Sequence, residues 1–542
     1  MPSLHRLPVV ALTLLLAAGC GDDEAEDRSG DGGGGGATTG VSVGGPTSTS
    51  TGSGEDGSLA ALTAPTQTTI RTTWGGLVPP PITMESYVVE SDRGALAVVA
   101  LEVDVATRTL TVTTAPQKLG VTYTLSIAAP ESPFDGFQAQ FLAADTVELW
   151  ATEFDGFTDY RVKAQRVSVG DHAVLYVEEG LFAGDADFTR DVFDDVIFPV
   201  EQELFRDPPD DDGNGRIVLL GLDGRDWYGG YFNPLNTFTE AQAQAYGSHS
   251  NEMEIIYFNV AYMGGFNATN VVPHEYLHLL YAEEHGALDG WNWHNEGMAE
   301  CAVTAVWGAN EQSGQFYVQD PQEDLRRGKS LVNWEYANYS QYAQSYVFLS
   351  YVAGQLGGLD GYGELFHAPG DPRQLEDLLE ERLGWSFAET QLHALAAAWL
   401  QEEEGPYGFE GLIELPGRPQ LAPSAELSLR PFAGAFFGVG EPAVTPVGAG
   451  ASVLHVGLAA DGARDDASPF EVPEGVVIAL NGRMDPMSST GESSGVLEAP
   501  PAPEGGQAPR SRIRDRSWLH APPLPPSHPG LRRFRELTRV AR

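Results

Sequence analysis

A chain of 542 residues with 42% hydrophobic content is too long for a single core and points to roughly three or four domains. Its 31 basic residues against 76 acidic ones leave a formal charge of -45. That charge repels nucleic acid phosphates and anionic membrane surfaces, so nucleic acid is excluded as a partner. Acidity of this kind is a solubility trait before it is a site.

The chain opens with His5 and Arg6, an apolar run from Leu7 to Leu16, and then Ala17, Ala18, Gly19 and Cys20. This is the layout of a secretory signal, too short for an ordinary membrane span. Its end resembles a bacterial lipoprotein signal, although Ala17 stands where leucine is commoner. The resemblance implies a signal over 1–20 and a lipid on Cys20, holding an exported protein in the cell envelope, at the outer membrane or the cell surface. Membrane association is then through that lipid only. Cys301 is left without a partner, so no structural disulfide is expected. An ordinary cleaved signal with a chance cysteine is the alternative.

Residues 21–60 are Gly, Ser, Thr and Asp almost throughout and read as a disordered tether. From 61 to 153 the runs ALAVVALEVDV, RTLTVTT and VTYTLSI alternate between Gly, Pro and Asp punctuation, which predicts a small β-sandwich. It resembles the immunoglobulin-like modules that precede enzymes in exported bacterial proteins. Between 154 and 412 strand and helix signals mix. HAVLYV (172–177), RIVLLGL (216–222) and MEIIYFNV (253–260) read as strands. Phe188, Val192, Val196 and Val200 recur at helical spacing, with Pro199 expected to bend or end that helix. Helical patterns dominate afterwards, over 301–307, 346–356, 375–383 and 387–400. A second small β domain is expected over 413–482, and 483–542 reads as a disordered tail. Its last 42 residues, 501–542, hold nine arginines against three acidic residues.

Chemistry concentrates in HEYLH at 274–278. His274 and His278 stand four apart, so on a helix they share one face about a turn apart and can hold one metal ion. Glu275 projects roughly 100° around the helix from His274, which suits a base acting on metal-activated water and not a ligand. Asn270 is a plausible helix cap, with Pro273 in the first turn. A catalytic zinc needs a third protein ligand and one open position. The metzincin pattern is excluded, because Tyr281 and Glu284 stand where it requires glycine and histidine. His285 lies seven residues past His278, too far along the helix to share the ion. Candidates remain in Glu296, Glu300 and His294, with Asn295 able to cap a second helix. His294 is a possible donor to substrate, or a surface histidine in a Trp-rich turn.

HEYLH followed seventeen residues later by NEGMAE resembles the gluzincin arrangement of thermolysin-like and aminopeptidase-like enzymes. The family it most resembles is the hyicolysin-type neutral zinc metallopeptidases, over about 160–405. That resemblance implies Glu296 as the third zinc ligand and Glu300 as a carboxylate orienting a ligand histidine. It implies a tyrosine as oxyanion donor too. Tyr342 matches, nine residues before Tyr351 in a helix leading to Leu356, Gly357 and Gly358. Tyr336, Tyr339 and Tyr346 are alternatives. In such enzymes the strand before the site helix is an edge that pairs with extended substrate. Met253 and Glu254 echo an aminopeptidase GxMEN signature, but Asn251 and Ile255 depart from it, which favours an endopeptidase.

Asp210, Asp212 and Asn214, followed by Gly215, match the first half of a calcium loop, yet Gly221 occupies the position of its last acidic ligand. Structural calcium and a plain polar turn both fit.

The expectation is a multidomain chain: an α+β, zincin-type metallopeptidase domain flanked by small all-β, immunoglobulin-like modules. It implies a zinc endopeptidase in which His274, His278 and Glu296 hold the ion, Glu275 moves the proton and Tyr342 serves the oxyanion, with polypeptide as substrate. A zinc aminopeptidase is one alternative. An inactive surface lipoprotein that binds polypeptide or matrix through its β modules is another.

Overall fold

The Val- and Thr-rich runs at the front fold as eight strands: β1 (Leu59–Thr66), β2 (Thr69–Trp74), β3 (Tyr87–Ser91), β4 (Gly94–Leu96), β5 (Val98–Asp104), β6 (Thr109–Thr114), β7 (Thr122–Ile127) and β8 (Phe137–Leu142). The computed structural model describes residues 58–482 except 80–82, 131, 154–157, 224–228, 261–265, 287–290, 335–338, 439, 448–451, 460, 463, 466–468 and 473–474. The signal segment with Cys20, most of the tether and the tail from 483 lie outside the described residues.

The eight strands make two antiparallel sheets, ordered β1-β2-β6-β5 and β4-β3-β7-β8. Alternation turns Ile70, Trp74, Leu110 and Val112 of one sheet and Val89, Tyr123 and Leu125 of the other into a shared core. Trp74 packs on Phe134 and Phe137, and its buried Nε1 donates to Thr72 Oγ1 at 2.8 Å.

β9 (Thr146–Glu153), expected as part of the sandwich, instead pairs along its whole length with β10 (Thr158–Val169). Paired so, its inward row of Val147, Leu149 and Ala151 joins the core of Val162, Ala164, Val174 and Tyr176. With β11 (Ala173–Glu178), β12 (Ile217–Leu222), β13 (Gly230–Phe232) and β14 (Ile255–Asn259) they form a mixed sheet ordered β13-β14-β12-β11-β10-β9. β11, β12 and β14 run parallel, and β12 is buried at every position, as a central parallel strand should be. The expected edge strand is not an edge. β13 covers β14 in antiparallel register, with Tyr231 stacked on Tyr257 at 4.2 Å.

Helical spacing around Val192 and Val196 gives α1 (Ala186–Val192) and α2 (Phe198–Leu204), joined by a π turn over Phe193–Ile197. Pro199 falls in the first turn of α2, where no N–H is required of it. A short α3 (Glu240–Ala245) is closed by a Thr239 and Gln242 capping box.

The chain divides into two compact units, one taking in the described residues up to Asp194 and Pro209–Val272, the other Asp195–Pro208 and everything from Pro273. The second holds α2 and, beyond it, α4 (Phe266–His285, from Pro273 onward), α5 (Asn292–Trp307), α6 (Glu311–Gln319), α7 (Tyr339–Gln355), α8 (Leu359–His367), α9 (Pro372–Arg382) and α10 (Phe387–Leu400). Strands β15 (Glu426–Leu429), β16 (Gly434–Gly438), β17 (Ala443–Pro446), β18 (Val453–Leu458), β19 (Arg464–Asp465) and β20 (Val476–Asn481) follow. They pair as β15-β17 and β16-β20-β18-β19 around Leu429, Ala435, Phe437, Val477 and Ala479. The described chain is therefore multidomain α+β, with N-terminal β-sheets followed in sequence by a helical region and then the short strands β15–β20. No helix among the described residues is long and apolar enough to cross a membrane.

Candidate metal centre

Helix α4 begins at Phe266, so Asn270 lies inside it and is not its cap, and Pro273 is an interior residue. The four-residue spacing still does what it must: the His274 and His278 rings stand 4.7 Å apart on one face. Gly286, in the left-handed region at φ 95, follows the last helical residue. His285 is used structurally, its Nε2 standing 2.6 Å from the Phe366 carbonyl oxygen. Nearby, Arg206 pairs with Glu283 and Glu284, and His367 Nδ1 meets Glu284 at 2.8 Å, fixing the end of the helix.

α5 brings a carboxylate to the two imidazoles. Single ligand atoms of His274, His278 and Glu296 all lie within 4.8 Å of one another. Glu296 Oε2 stands 3.4 Å from His274 Nε2 and 3.3 Å from His278 Nε2. None of these atoms makes a hydrogen bond among the described residues, although the three side chains are 0–1% exposed. Orphaned polar atoms at such depth carry a desolvation cost that a shared cation relieves. Two imidazoles and a carboxylate are a donor set that suits zinc, leaving a position for water. The residues fit the ion.

The outer nitrogens are held from behind. His278 Nδ1 donates to Asn295 Oδ1 at 2.8 Å, and His274 Nδ1 faces Glu300 Oε1 at 3.4 Å. These contacts leave both Nε2 lone pairs pointing inward. Glu300 is itself anchored, accepting from Asn310 Nδ2 and from Ser313 Oγ at 2.5 Å. Burial disfavours a charged His274, but Glu296 and Glu300 outweigh it and push the imidazole up to about 10. Burial raises Glu296, and the two imidazoles more than offset it, so the carboxyl stays below its usual value. Asn295, like Asn270, is not the helix cap its position in the sequence suggests. α5 starts three residues earlier, at Asn292, and Asn295 orients a ligand instead of capping. Its place directly before Glu296 was the available signal.

Glu275 is fully buried beside the two histidines. Tyr342 is 4% exposed, its ring against Trp334 at 4.7 Å and Tyr339 at 5.7 Å. Burial first, then the charges of Glu296, Tyr339, Glu300 and Glu275, hold its phenol well above the usual value, so it remains a neutral O–H donor. Of its competitors, Tyr346 is tied to Thr304 at 2.9 Å, Tyr339 packs on Phe316, and Tyr336 lies outside the described residues. His294 is not on the surface. It is buried, 3.0 Å from the Tyr281 hydroxyl, and burial with the nearby His285 charge pushes it down to about 3.

In the other unit, Asp210, Asp212 and Glu254 bring one carboxylate oxygen each within 4.8 Å. Burial, with the Glu254 and Asp210 charges, pushes Asp212 up to about 7 although the Asn214 N–H opposes it. Asn214 is committed elsewhere: Nδ2 donates to Asp212 Oδ2 at 2.8 Å and Oδ1 accepts from the Arg216 N–H at 2.5 Å. Arg93 pairs with Asp210 at 3.3 Å.

No family model matches the chain. A stretch of 267 residues is 25% identical to the neutral metalloprotease ShpI of Staphylococcus hyicus, covering 43% of this chain and 56% of that protein. The chain thus spans about half the length of the curated relative it matches. Among solved structures, native yeast LTA4 hydrolase is found at a TM-score of 0.28 and 11% identity over 58% of this chain and 62% of that one. The S-layer protein rSbsC(31-844) is found at 0.15 and 18% identity, over 18% and 15% of the two chains. Likenesses that remote carry no argument.

Proposed function

We propose that this chain is a zinc-dependent endopeptidase of the gluzincin type, a zincin-like catalytic region set among all-β modules and acting on polypeptides outside the cytoplasm. The observation that carries the reading is the convergence of three orphaned ligand atoms, on His274, His278 and Glu296, with Glu275 beside them on the same helix. Similarity to a neutral metalloprotease supports it.

Zinc, when bound by these three residues, supplies a Lewis acid that acidifies water and polarises the scissile carbonyl. Glu275 takes the proton of the attacking water and returns it to the leaving amine. Tyr342, neutral in its buried setting, donates its hydroxyl hydrogen to the oxyanion that develops on the carbonyl oxygen. Glu300 and Asn295 keep the imidazoles in the ligand tautomer. Endopeptidase is favoured over aminopeptidase because Asn251 and Ile255 depart from the GxMEN signature that Met253 and Glu254 echo.

Casein cleavage by the purified protein tests the reading. The expected result is one zinc per chain and cleavage abolished by chelator. Glu275→Gln should retain zinc while losing on the order of 10²–10⁴ in rate. A chain that binds no zinc, or a Glu275→Gln variant as active as wild type, refutes it. The signal-like start further proposes anchoring through a lipid on Cys20; Cys20→Ala should then release the protein from the membrane fraction.

Asp210, Asp212 and Glu254 are proposed as a structural calcium site, favoured by three carboxylates that each bring one oxygen within 4.8 Å of the others, two of which, Asp212 and Glu254, burial pushes above the usual value. Calcium should raise the melting temperature of wild type and not of Asp212→Asn; equal melting in calcium and chelator, with zinc held constant, would remove this site.

A further inference from the structure

The proposed chemistry is split between two helices, Glu296 on α5 and Tyr342 on α7, and the geometry between them has to come from how those helices pack. They meet along a seam that starts beside the metal ligand. At Gly297 an added Cβ would stand 2.7 Å from Ser345 Cβ, 2.7 Å from Leu349 Cδ1 and 3.2 Å from the Ser345 carbonyl carbon. Further along, Cys301 Sγ lies 3.7 Å from Ser350 Oγ, and Thr304 Oγ1 stands 2.9 Å from Tyr346 Oη. Residues 297, 301 and 304 follow one face of α5, and 342, 345, 346 and 349 one face of α7.

Gly297 has ordinary helical φ, so nothing in its backbone conformation calls for glycine. Glycine is among the poorest helix formers, and here it sits in the buried interior of α5. What it provides is space. Leu349 Cδ1 is the end of a flexible chain and can turn aside, but Ser345 Cβ and carbonyl carbon are fixed to the α7 backbone. Gly297 is the next residue after the ligand Glu296, and Ser345 lies about one turn from Tyr342 on the same face. This close contact of the two helices therefore lies next to Glu296 on α5 and about one turn from Tyr342 on α7.

We propose that Gly297 is a positioning residue which, by letting α7 close onto α5 at Ser345, sets the distance from the Glu296 carboxylate to the Tyr342 hydroxyl. The inference rests on the reading of Glu296 as zinc ligand and Tyr342 as oxyanion donor. A methyl group at 297 moves α7 away from α5 but leaves α4 and the α4-facing side of α5 in place, so zinc stays while the hydroxyl is displaced. Displacements of about 1 Å at a reacting centre cost roughly 10²-fold in rate.

The test uses the zinc-loaded full chain and a peptide substrate. Gly297→Ala should lower kcat by roughly 30- to 100-fold, with KM within about twofold of wild type and one zinc retained. Ser345→Gly and Ser345→Ala alone should stay near wild type. The double variant Gly297→Ala/Ser345→Gly should recover to within about threefold of wild type, because the one Cβ the seam admits is now supplied by α5. In a Tyr342→Phe background Gly297→Ala should cost less than about threefold more, since the group it positions is gone. Wild-type kcat in Gly297→Ala, failure of Ser345→Gly to restore it, or a full further loss in the Tyr342→Phe background overturns the proposal. Should Gly297→Ala not fold, the double variant decides: folded with recovered kcat supports the seam, folded with kcat as low as Tyr342→Phe overturns it. Wild-type kcat in Tyr342→Phe would instead show that the tyrosine reading is wrong, and this inference falls with it.

Discussion

His278 Nδ1 and Asn295 Oδ1 stand 2.8 Å apart, a hydrogen bond from the site helix to the residue directly preceding the third ligand. It does two things at once: it sets the tautomer of His278 and ties the α5 backbone beside Glu296 to α4. Asn295→Ala should therefore weaken zinc binding by about 10- to 100-fold, the usual effect of removing such a partner. Competition against a chromophoric chelator measures it, and unchanged zinc affinity would show that His278 needs no such hold.

Glu300 makes the corresponding contact to His274, but it is a charge held by Asn310 and Ser313. Glu300→Gln keeps the shape and drops the charge that favours a proton on Nδ1. Zinc affinity should fall by about tenfold for Glu300→Gln and further for Glu300→Ala. Equal affinities in the two variants would mean that packing, and not charge, is what His274 draws from this position.

Local spacing made the heart of the site readable. HEYLH is a relation within one helical turn, and its two histidines meet whatever the rest of the chain does. Glu296 needed the second helix as well, and the resemblance of NEGMAE supplied it. What stayed hidden depends on distant partners. The three-residue β13 has no periodicity to detect, so its cover over β14 was missed. β9 alternates as well for the six-stranded sheet as for the sandwich, and only pairing with β10 decides. Pro273 looked like a helix start because proline favours first turns, yet α4 continues upstream through it. Nothing in FPVEQEL says that Glu201 turns inward and not to solvent.

Tyr342 is proposed to act only once charge develops on the substrate oxygen. Tyr342→Phe keeps the ring between Trp334 and Tyr339 and removes the hydroxyl. The expected outcome is a fall in kcat of about 10²–10³ with KM little changed, the pattern for a lost oxyanion donor. Steady-state kinetics on a defined peptide checks it, and a change confined to KM would assign the tyrosine to ground-state binding instead.

Glu201 gives a prediction about stability. It is 0% exposed on α2, both carboxylate oxygens lack a hydrogen-bond partner among the described residues, and burial raises its pKa well above the usual value. On the same helix Phe198 stacks on Tyr276 of the site helix at 6.0 Å, so the acid sits in the layer supporting HEYLH. In the folded chain Glu201 keeps its proton at pH values where the unfolded chain has lost it. Folding then binds a proton, and stability falls as pH rises above the unfolded value near 4.5, by about 1.4 kcal/mol per pH unit until the carboxyl ionises in place. Glu201→Met fills similar space, removes the orphaned oxygens and abolishes this dependence. Its advantage in unfolding free energy over wild type should be smallest near pH 4 and grow as the pH rises above that, levelling off where the buried carboxyl ionises. Denaturant titrations of both proteins at several pH values measure the difference, in which every other titrating group cancels. A difference that stays constant with pH would mean that Glu201 is ionised or solvated in the folded protein.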